Sequence, residues 1–148
     1  MEAADALLDL EPAEYAATPK PRRKSSTSPT QRTLARLRKL GATAAVVEHW
    51  NPHARIRQDL FGGIDVVALM GFFTLGVQAC TVGDQSKRIA KILAEPRVRS
   101  WLRAGNTLEV WGWGKHGARG RRKLWTLTRH AIAMDITGEP YSYKLKDL

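Results

Sequence analysis

This chain contains the sequence GGIDVVAL at residues 62–69 and LGVQACT at residues 75–81, and these two segments decide its fold. Their apolar, β-branched composition predicts two adjacent strands. Each apolar run is interrupted by one polar residue, Asp65 in the first and Gln78 in the second. Burying a carboxylate without a partner is costly, so two such interruptions on neighbouring strands indicate a shared site. The alternative is a surface hairpin whose polar residues face outward.

The pattern outside these segments predicts an α/β fold. Leu34, Leu37 and Leu40 recur at helical spacing, and Pro96 is suited to the first turn of a later helix. Residues 55–59 are predicted as a short strand or an extended approach to the following turn. The predicted order is a helix at 31–40, strands at 44–50, 64–69 and 74–81, helices at 85–94 and 97–104, and strands at 107–113 and 124–132. Such an order favours a mixed central sheet flanked by helices.

Positive charge is the strongest signal in the composition. The 148 residues carry a formal net charge of +10. Residues 1–15 hold five of the 14 acidic residues and no basic one, so residues 16–148 carry 24 basic and nine acidic residues, a net charge of +15. This excess attracts polyanions by releasing their counterions. Nucleic acid is the expected partner, ahead of a membrane surface or an acidic protein.

The composition also suggests how the chain is divided. Residues 1–29 are expected to form an acidic and then basic disordered arm, residues 30–134 one folded domain, and residues 135–148 a weakly patterned C-terminal tail. No apolar run approaches the roughly 20 residues that span a bilayer, so no membrane partner is expected. The acidic N-terminus lacks an apolar secretory segment, and the chain has a single cysteine, Cys80. A cytoplasmic location, in a bacterium or a phage-infected cell, is therefore expected.

The residues around Asp65 and Gln78 resemble the PD-(D/E)xK nuclease superfamily, particularly its phage-type and Holliday-junction-resolvase-like members. In that pattern an Asp follows a glycine-containing turn, as in Gly63-Ile64-Asp65, and the next strand carries (D/E)-x-K. Here the second motif is Gln78-Ala79-Cys80, so an amide replaces the carboxylate and a thiol replaces the lysine. The resemblance covers residues 30–113. It implies a restriction-endonuclease-like core.

The resemblance also implies a Mg²⁺ or Mn²⁺ site. Asp65 and Gln78 would be catalytic residues and metal ligands, and Glu48 is the nearest candidate for the acid that the superfamily places on its opening helix. Asp59 is a weaker substitute for that acid, because it precedes a turn and is suited to capping it. Lys87 would replace the missing motif lysine. Each of these residues also has a purely structural interpretation as a solvent-facing or capping side chain.

Two groups of polar and basic residues are predicted to contact nucleic acid. The first lies on the helix after the second motif and comprises Gln85, Arg88 and Lys91. The second lies in and beside a glycine-containing turn and comprises Lys115, Arg119, Arg121, Arg122 and Lys123. Trp111 and Trp113, which precede this turn, are expected in the core. The alternative for both groups is a solvated basic surface.

These expectations lead to two main hypotheses. The first is a metal-dependent endonuclease that hydrolyses phosphodiesters of DNA, including branched DNA, through the domain at residues 30–134. The second is a nucleic-acid-binding protein of the same fold whose catalytic residues have decayed, which the three departures from the motif favour. A basic structural or anti-host interaction protein is a more distant third hypothesis. Resolvase-like enzymes often pair, so a homodimer is a further expectation.

Overall fold

The computed structural model describes residues 26–148, and these form a mixed α/β fold. The helices are α1 (Pro29–Lys39), α2 (Gln85–Ala94) and α3 (Pro96–Arg103), and a short 3₁₀ turn, Val82–Asp84, precedes α2. The strands are β1 (Thr43–Val46), β2 (His49–Asn51), β3 (Ile56–Gln58), β4 (Val66–Leu69), β5 (Thr74–Thr81), β6 (Thr107–His116), β7 (Leu124–Met134) and β8 (Pro140–Lys144).

Six of the strands form one sheet in the order β1-β4-β5-β6-β7-β8. Neighbouring strands are antiparallel except for β5 and β6, which run parallel. Because parallel strands need a long crossover connection, the chain passes through α2 and α3 between them. The strands β2 and β3 form a separate two-stranded ribbon.

The sheet separates two apolar clusters. Successive side chains of a strand point to opposite faces, so neighbouring residues of one strand contribute to different clusters. On one face, α1 packs on the sheet through Leu34 and Leu37, together with the rings of Trp111 and Trp113. On the other face, Ile92 of α2 and Val98 of α3 pack against the sheet side. Their partners there are Ile64, Cys80, Leu108, Val110 and Ile132. The predicted core position of both tryptophans is thus confirmed.

Local signals explain where the helices begin. The Ser28 hydroxyl accepts a hydrogen bond from the Gln31 backbone N–H at 3.2 Å, and Pro29 occupies the first turn of α1. Glu95 caps α3 in the same way, and Pro96 follows it. Among residues 26–148, no helix is long and apolar enough to cross a bilayer.

The structure differs from the predicted elements in two places. The strand predicted at residues 44–50 is divided into β1 and β2, because the chain leaves the sheet at Val47 and Glu48, whose N–H groups both point to the Asp65 carbonyl. The predicted tail at residues 135–148 contains β8, which pairs with β7 from His130↔Lys144 to Met134↔Pro140. The sheet therefore extends past residue 134. Of the predicted N-terminal arm, residues 1–25 lie outside the described residues.

Candidate metal centre

A tight turn brings two acidic residues of the chain together. Asp59 follows β3 and Asp65 precedes β4, and between them Leu60 and Ile64 form an antiparallel bridge with hydrogen bonds of 2.9 and 3.0 Å. The turn needs a residue with positive φ at Gly62, where φ is +73°. It is held against α2, since a Cβ on Gly63 would lie only 3.0 Å from Ile92 Cγ1. The apolar packing of α2 thus fixes the geometry of the acidic pair.

Glu48 completes a group of three carboxylates. It lies where the chain leaves β1, and the N–H of the preceding Val47 donates to the Asp65 carbonyl at 2.8 Å. One carboxylate oxygen from each of Glu48, Asp59 and Asp65 lies within 4.8 Å of the other two. Like charges at this spacing repel one another unless a cation or protons intervene.

Asp65 is the most buried of the three, with 3% of its surface exposed. Its Oδ2 accepts hydrogen bonds from the Gln78 side-chain amide at 2.6 Å and from the Ala79 backbone N–H at 2.9 Å. Burial, followed by the hydrogen bond to Asp59 and the charges of Asp59 and Glu48, raises the pKa of Asp65 to about 8, although the Ala79 N–H acts in the opposite direction. Without a cation the site therefore takes up a proton near neutral pH.

Gln78 supplies an independent indication that something binds here. Its side chain is buried, with 2% exposed, and its Nε2 donates to Asp65. Its Oε1 has no hydrogen-bond partner within the described part of the chain. An unpaired buried carbonyl is costly, so this oxygen is available to accept from a hydrogen-bond donor or to bind a cation. Three carboxylates and one amide oxygen are the hard oxygen donors that Mg²⁺ and Mn²⁺ prefer, and the residues fit such an ion.

Two basic side chains approach the acids from the solvent side. Lys91 of α2 forms an ion pair with Asp59, with 3.6 Å between Nζ and Oδ2, and Arg57 of β3 pairs with Glu48 at 3.0 Å. Both cations stay exposed, at 53% for Lys91 and 70% for Arg57, while their acidic partners are 13% exposed. The site is consequently open to a charged ligand along the side that α2 and β3 form.

Two adjoining cavities describe this open side. One of about 520 Å³ passes Asp59, Lys91 and the turn after β3. The other, of about 360 Å³, is lined by Asp84, Lys87, Arg88 and Lys91. Lys91 borders both cavities and contacts Asp59. It therefore links the acidic group to the basic face of α2. The predicted catalytic residue Lys87 lies in the second cavity.

Cys80 occupies the position where the resembled motif has a lysine, and it carries no charge there. The thiol is buried and donates to the Trp111 carbonyl at 3.6 Å. Burial raises its pKa to about 11. Any cationic role in the site must therefore come from another element, and Lys91 is the basic side chain of α2 that contacts a carboxylate of the group.

The predicted nucleic-acid contacts fall into two classes. The predicted nucleic-acid contact of Gln85 is wrong, because its side chain is buried. Its amide donates to the carbonyls of Val110 and Thr128 at 3.1 and 2.8 Å. Gly112 makes room for it, since a Cβ there would lie 2.7 Å from the amide. Gln85 thus fastens α2 to the sheet and does not face phosphate. The remaining predicted residues are exposed or half-buried on the surface, namely Arg88, Lys91, Lys115, Arg119, Arg121, Arg122 and Lys123.

Sequence reasoning underestimated Asp59. Its position before a turn suggests a capping role, whereas the turn itself returns the chain to Asp65. The useful signal was the pair of acids separated by a short segment with Gly62 and Gly63 at its centre. No protein-family model matches the chain, and no curated protein or solved structure matches it either.

Proposed function

We propose that this protein is a metal-dependent endonuclease that hydrolyses DNA phosphodiesters, with a restriction-endonuclease-like core of the PD-(D/E)xK type. One observation carries the proposal: one carboxylate oxygen from each of Glu48, Asp59 and Asp65 lies within 4.8 Å of the other two, and the buried amide of Gln78 holds Asp65. The order of α1, the antiparallel strands β1, β4 and β5, the helix α2 and the strand β6 supports it, because the resemblance implies this order.

In the proposed mechanism the carboxylates of Glu48, Asp59 and Asp65 bind Mg²⁺ or Mn²⁺, and the amide of Gln78 orients Asp65. A divalent cation at this place supplies the charge that polarises the phosphodiester and lowers the pKa of an attacking water. Lys91, beside Asp59, holds a phosphate oxygen and offsets negative charge that develops on it. Lys87 and Arg88 continue this basic face and position the strand.

Cys80 favours the second hypothesis, a nucleic-acid-binding protein that has lost catalysis. A buried thiol with a raised pKa cannot stabilise the charge that develops at phosphorus. In this alternative the basic surface binds DNA, and the acidic group is a remnant of a metal site. The nuclease is preferred because Lys91 supplies a positive charge next to Asp59 from another element.

The test is to incubate the full-length protein with supercoiled plasmid and with a four-way junction in Mg²⁺, in Mn²⁺ and in EDTA. Asp65→Ala is assayed alongside the unchanged protein. Metal-dependent cutting that Asp65→Ala loses, with its DNA binding retained, supports the nuclease. Intact DNA that both proteins bind equally in every condition would reject it in favour of the binding protein.

The basic loop between β6 and β7 is tested separately as a DNA contact. Arg119→Ala/Arg121→Ala should weaken DNA binding and make the dependence of log Kd on log salt less steep by about one for each phosphate contact removed. Lys144→Ala/Lys146→Ala is the matched control, since it removes the same charge from the C-terminal end of the chain. An equal change in both variants would mean that total charge, and not this loop, determines binding.

A further inference from the structure

An aromatic cleft lies next to the candidate metal centre. It has a volume of about 480 Å³ and is lined by Phe61, Arg97, Ser100, Trp101, Ala104 and Asn106. Phe61 and Arg97 also line the 520 Å³ cavity that passes Asp59 and Lys91. The cleft and the metal side are therefore neighbours on one continuous surface, separated by the turn that holds Asp59.

The two rings of the cleft are held in place. Their centroids lie 6.3 Å apart with the planes inclined by 49°. The Trp101 indole N–H donates to the Thr107 carbonyl at 2.8 Å, and the ring packs on β5 at Gly76, where a Cβ would lie 3.1 Å from it. Phe61, in contrast, leaves 42% of its surface exposed. A fixed indole and an accessible phenyl ring form a preorganised apolar wall.

The backbone at Phe61 is strained. Its φ is +51°, a left-handed conformation that is unfavourable for a bulky residue and usually occupied by glycine or asparagine. Hydrogen bonds of the turn hold it there, including the one from the Gly63 N–H to the Leu60 carbonyl at 3.2 Å. The contact with Trp101 is what folding gains from a phenylalanine at this position. The exposed part of the ring is held rigidly beside that contact and is accessible to a ligand.

The polar group of the cleft is close to electrically neutral. The Arg97 guanidinium donates to both oxygens of Glu95, at 2.8 and 3.2 Å. A phosphate would meet this carboxylate beside the arginine and be repelled by it. A planar, uncharged group with polar edges suits the two rings and the paired arginine better, and in nucleic acid that group is a base.

We propose that this cleft binds an unpaired nucleobase of the DNA strand whose phosphodiester lies at the candidate metal centre. The inference rests on the proposed function and specifies its substrate class: DNA with unpaired bases beside the cut, in preference to uninterrupted duplex. A base stacked in a duplex cannot enter the cleft without first leaving its helix, which costs energy that an unpaired base does not require.

The test measures binding and cutting on two DNA molecules of equal length, one a full duplex and one with a short unpaired stretch. Binding of the full-length protein is measured by fluorescence anisotropy in EDTA. The unchanged protein is expected to bind the unpaired substrate at least 10-fold more tightly. Phe61→Gly, which relieves the strained φ, should lose about 10-fold in affinity for this substrate and change the duplex affinity less than two-fold.

Two variants serve as controls. Phe61→Tyr keeps a ring and should retain the preference for unpaired DNA. Phe72→Ala removes a fully exposed ring from the tip of the β4–β5 hairpin, at the end of β4 away from Asp65, and should change neither affinity. An equal loss of affinity in Phe61→Gly and Phe72→Ala would contradict base binding in the cleft. So would a Phe61→Gly variant that keeps the preference for unpaired DNA.

Cutting of the same two substrates in Mg²⁺ and Mn²⁺ tests the nuclease activity independently of base binding in the cleft. Metal-dependent cutting whose preference between the two substrates is the same with and without the Phe61 ring would reject base binding in the cleft. The proposed nuclease activity would be supported. A Phe61-dependent binding preference with no cutting in any metal would establish the cleft as a base-binding site and reject the nuclease.

Discussion

Two carboxylates beside the central strand β5 have opposite surroundings. Glu109 of β6 accepts two hydrogen bonds from the Arg129 guanidinium, at 2.9 and 3.0 Å, and one from the Trp111 indole at 2.6 Å. Asp65, which precedes β4, forms no ion pair within residues 26–148. Its charged neighbours are Asp59 and Glu48.

The difference teaches how to distinguish a structural acid from a functional one. The chain itself supplies everything that Glu109 needs, so this residue is explained by folding alone. The chain gives Asp65 an amide and a backbone N–H but surrounds it with more negative charge. A buried acid whose surroundings disfavour its own charge takes up a proton or binds a cation, which makes it a candidate for a functional site.

The largest expected effect is a pH dependence of the unfolding free energy of the metal-free protein, caused by the proton that Asp65 holds beside Asp59 and Glu48. The native carboxyl has a pKa of about 8, against 3.8 for an ordinary aspartate, so the folded protein holds a proton that the unfolded chain releases between these values. The free energy of unfolding should therefore fall as pH rises from about 4 to about 8. Between pH 5 and pH 9 the contribution is on the order of 4 kcal/mol.

Urea unfolding in EDTA at several pH values measures this contribution as the difference between the unchanged protein and Asp65→Asn. The variant should lack the decline and be the more stable protein at pH 9. Asp147→Asn, which alters an exposed acid, should follow the unchanged protein. A decline that persists in Asp65→Asn would assign the proton to another group.

The second prediction concerns Glu109, the acid that the chain itself pairs. Glu109→Gln leaves the Arg129 guanidinium half-buried without its counter-charge, so we expect a loss of about 2–4 kcal/mol of unfolding free energy. Glu109→Gln/Arg129→Met removes both charges and should recover part of the loss. Urea midpoints at pH 7 measure both variants, and a single variant as stable as the unchanged protein would contradict the structural role.

The third prediction concerns added Mn²⁺. A ligand that binds only the folded state at about 100 times its Kd stabilises it by about 2.7 kcal/mol, which corresponds to roughly 5–10 °C in Tm for a domain of this size. The unchanged protein and Glu109→Gln should show this shift, and Asp65→Asn should show little of it. Equal shifts in all three proteins, measured by thermal unfolding, would mean that Mn²⁺ binds elsewhere.

The smallest expected effect is that of Lys91→Met on stability. The Lys91 side chain is 53% exposed, so its ion pair with Asp59 should contribute less than about 1 kcal/mol. Urea unfolding compares it with Arg129→Met, which strands the Glu109 carboxylate and should cost more. A Lys91→Met variant as destabilised as Arg129→Met would show that the chain supplies the cation for the acidic group after all.

The sequence was sufficient where one local signal determines the outcome. The bounds of α2, predicted at residues 85–94, agree with the structure because its apolar stripe and the polar turn before it act over a few residues. The same holds for β5, whose apolar run is buried on both sides. Asp65 and Gln78 lie side by side, as their interruption of two apolar strands indicated.

The rest depended on contacts that are distant in the sequence. Asp59 joins Asp65 only because α2 packs on the turn between them, and Gln85 is buried only because Gly112 leaves space for it. The strand β8 is short and its two tyrosines stay exposed, so no buried apolar face marks it in the sequence and its pairing with β7 defines it. Each of these features depends on another element of the fold, which a local sequence pattern does not identify.

All four side chains of the candidate centre come from residues 48–78, before the crossover that leads to β6. The parallel β5–β6 pairing has to wait for α2 and α3 to be made and to fold, and non-local pairing of this kind is slow. During synthesis the acids and α2, which packs on the turn between Asp59 and Asp65, are therefore made before half of the sheet exists. Divalent ions present at that stage should speed folding, whereas ions added to the finished protein would only stabilise it.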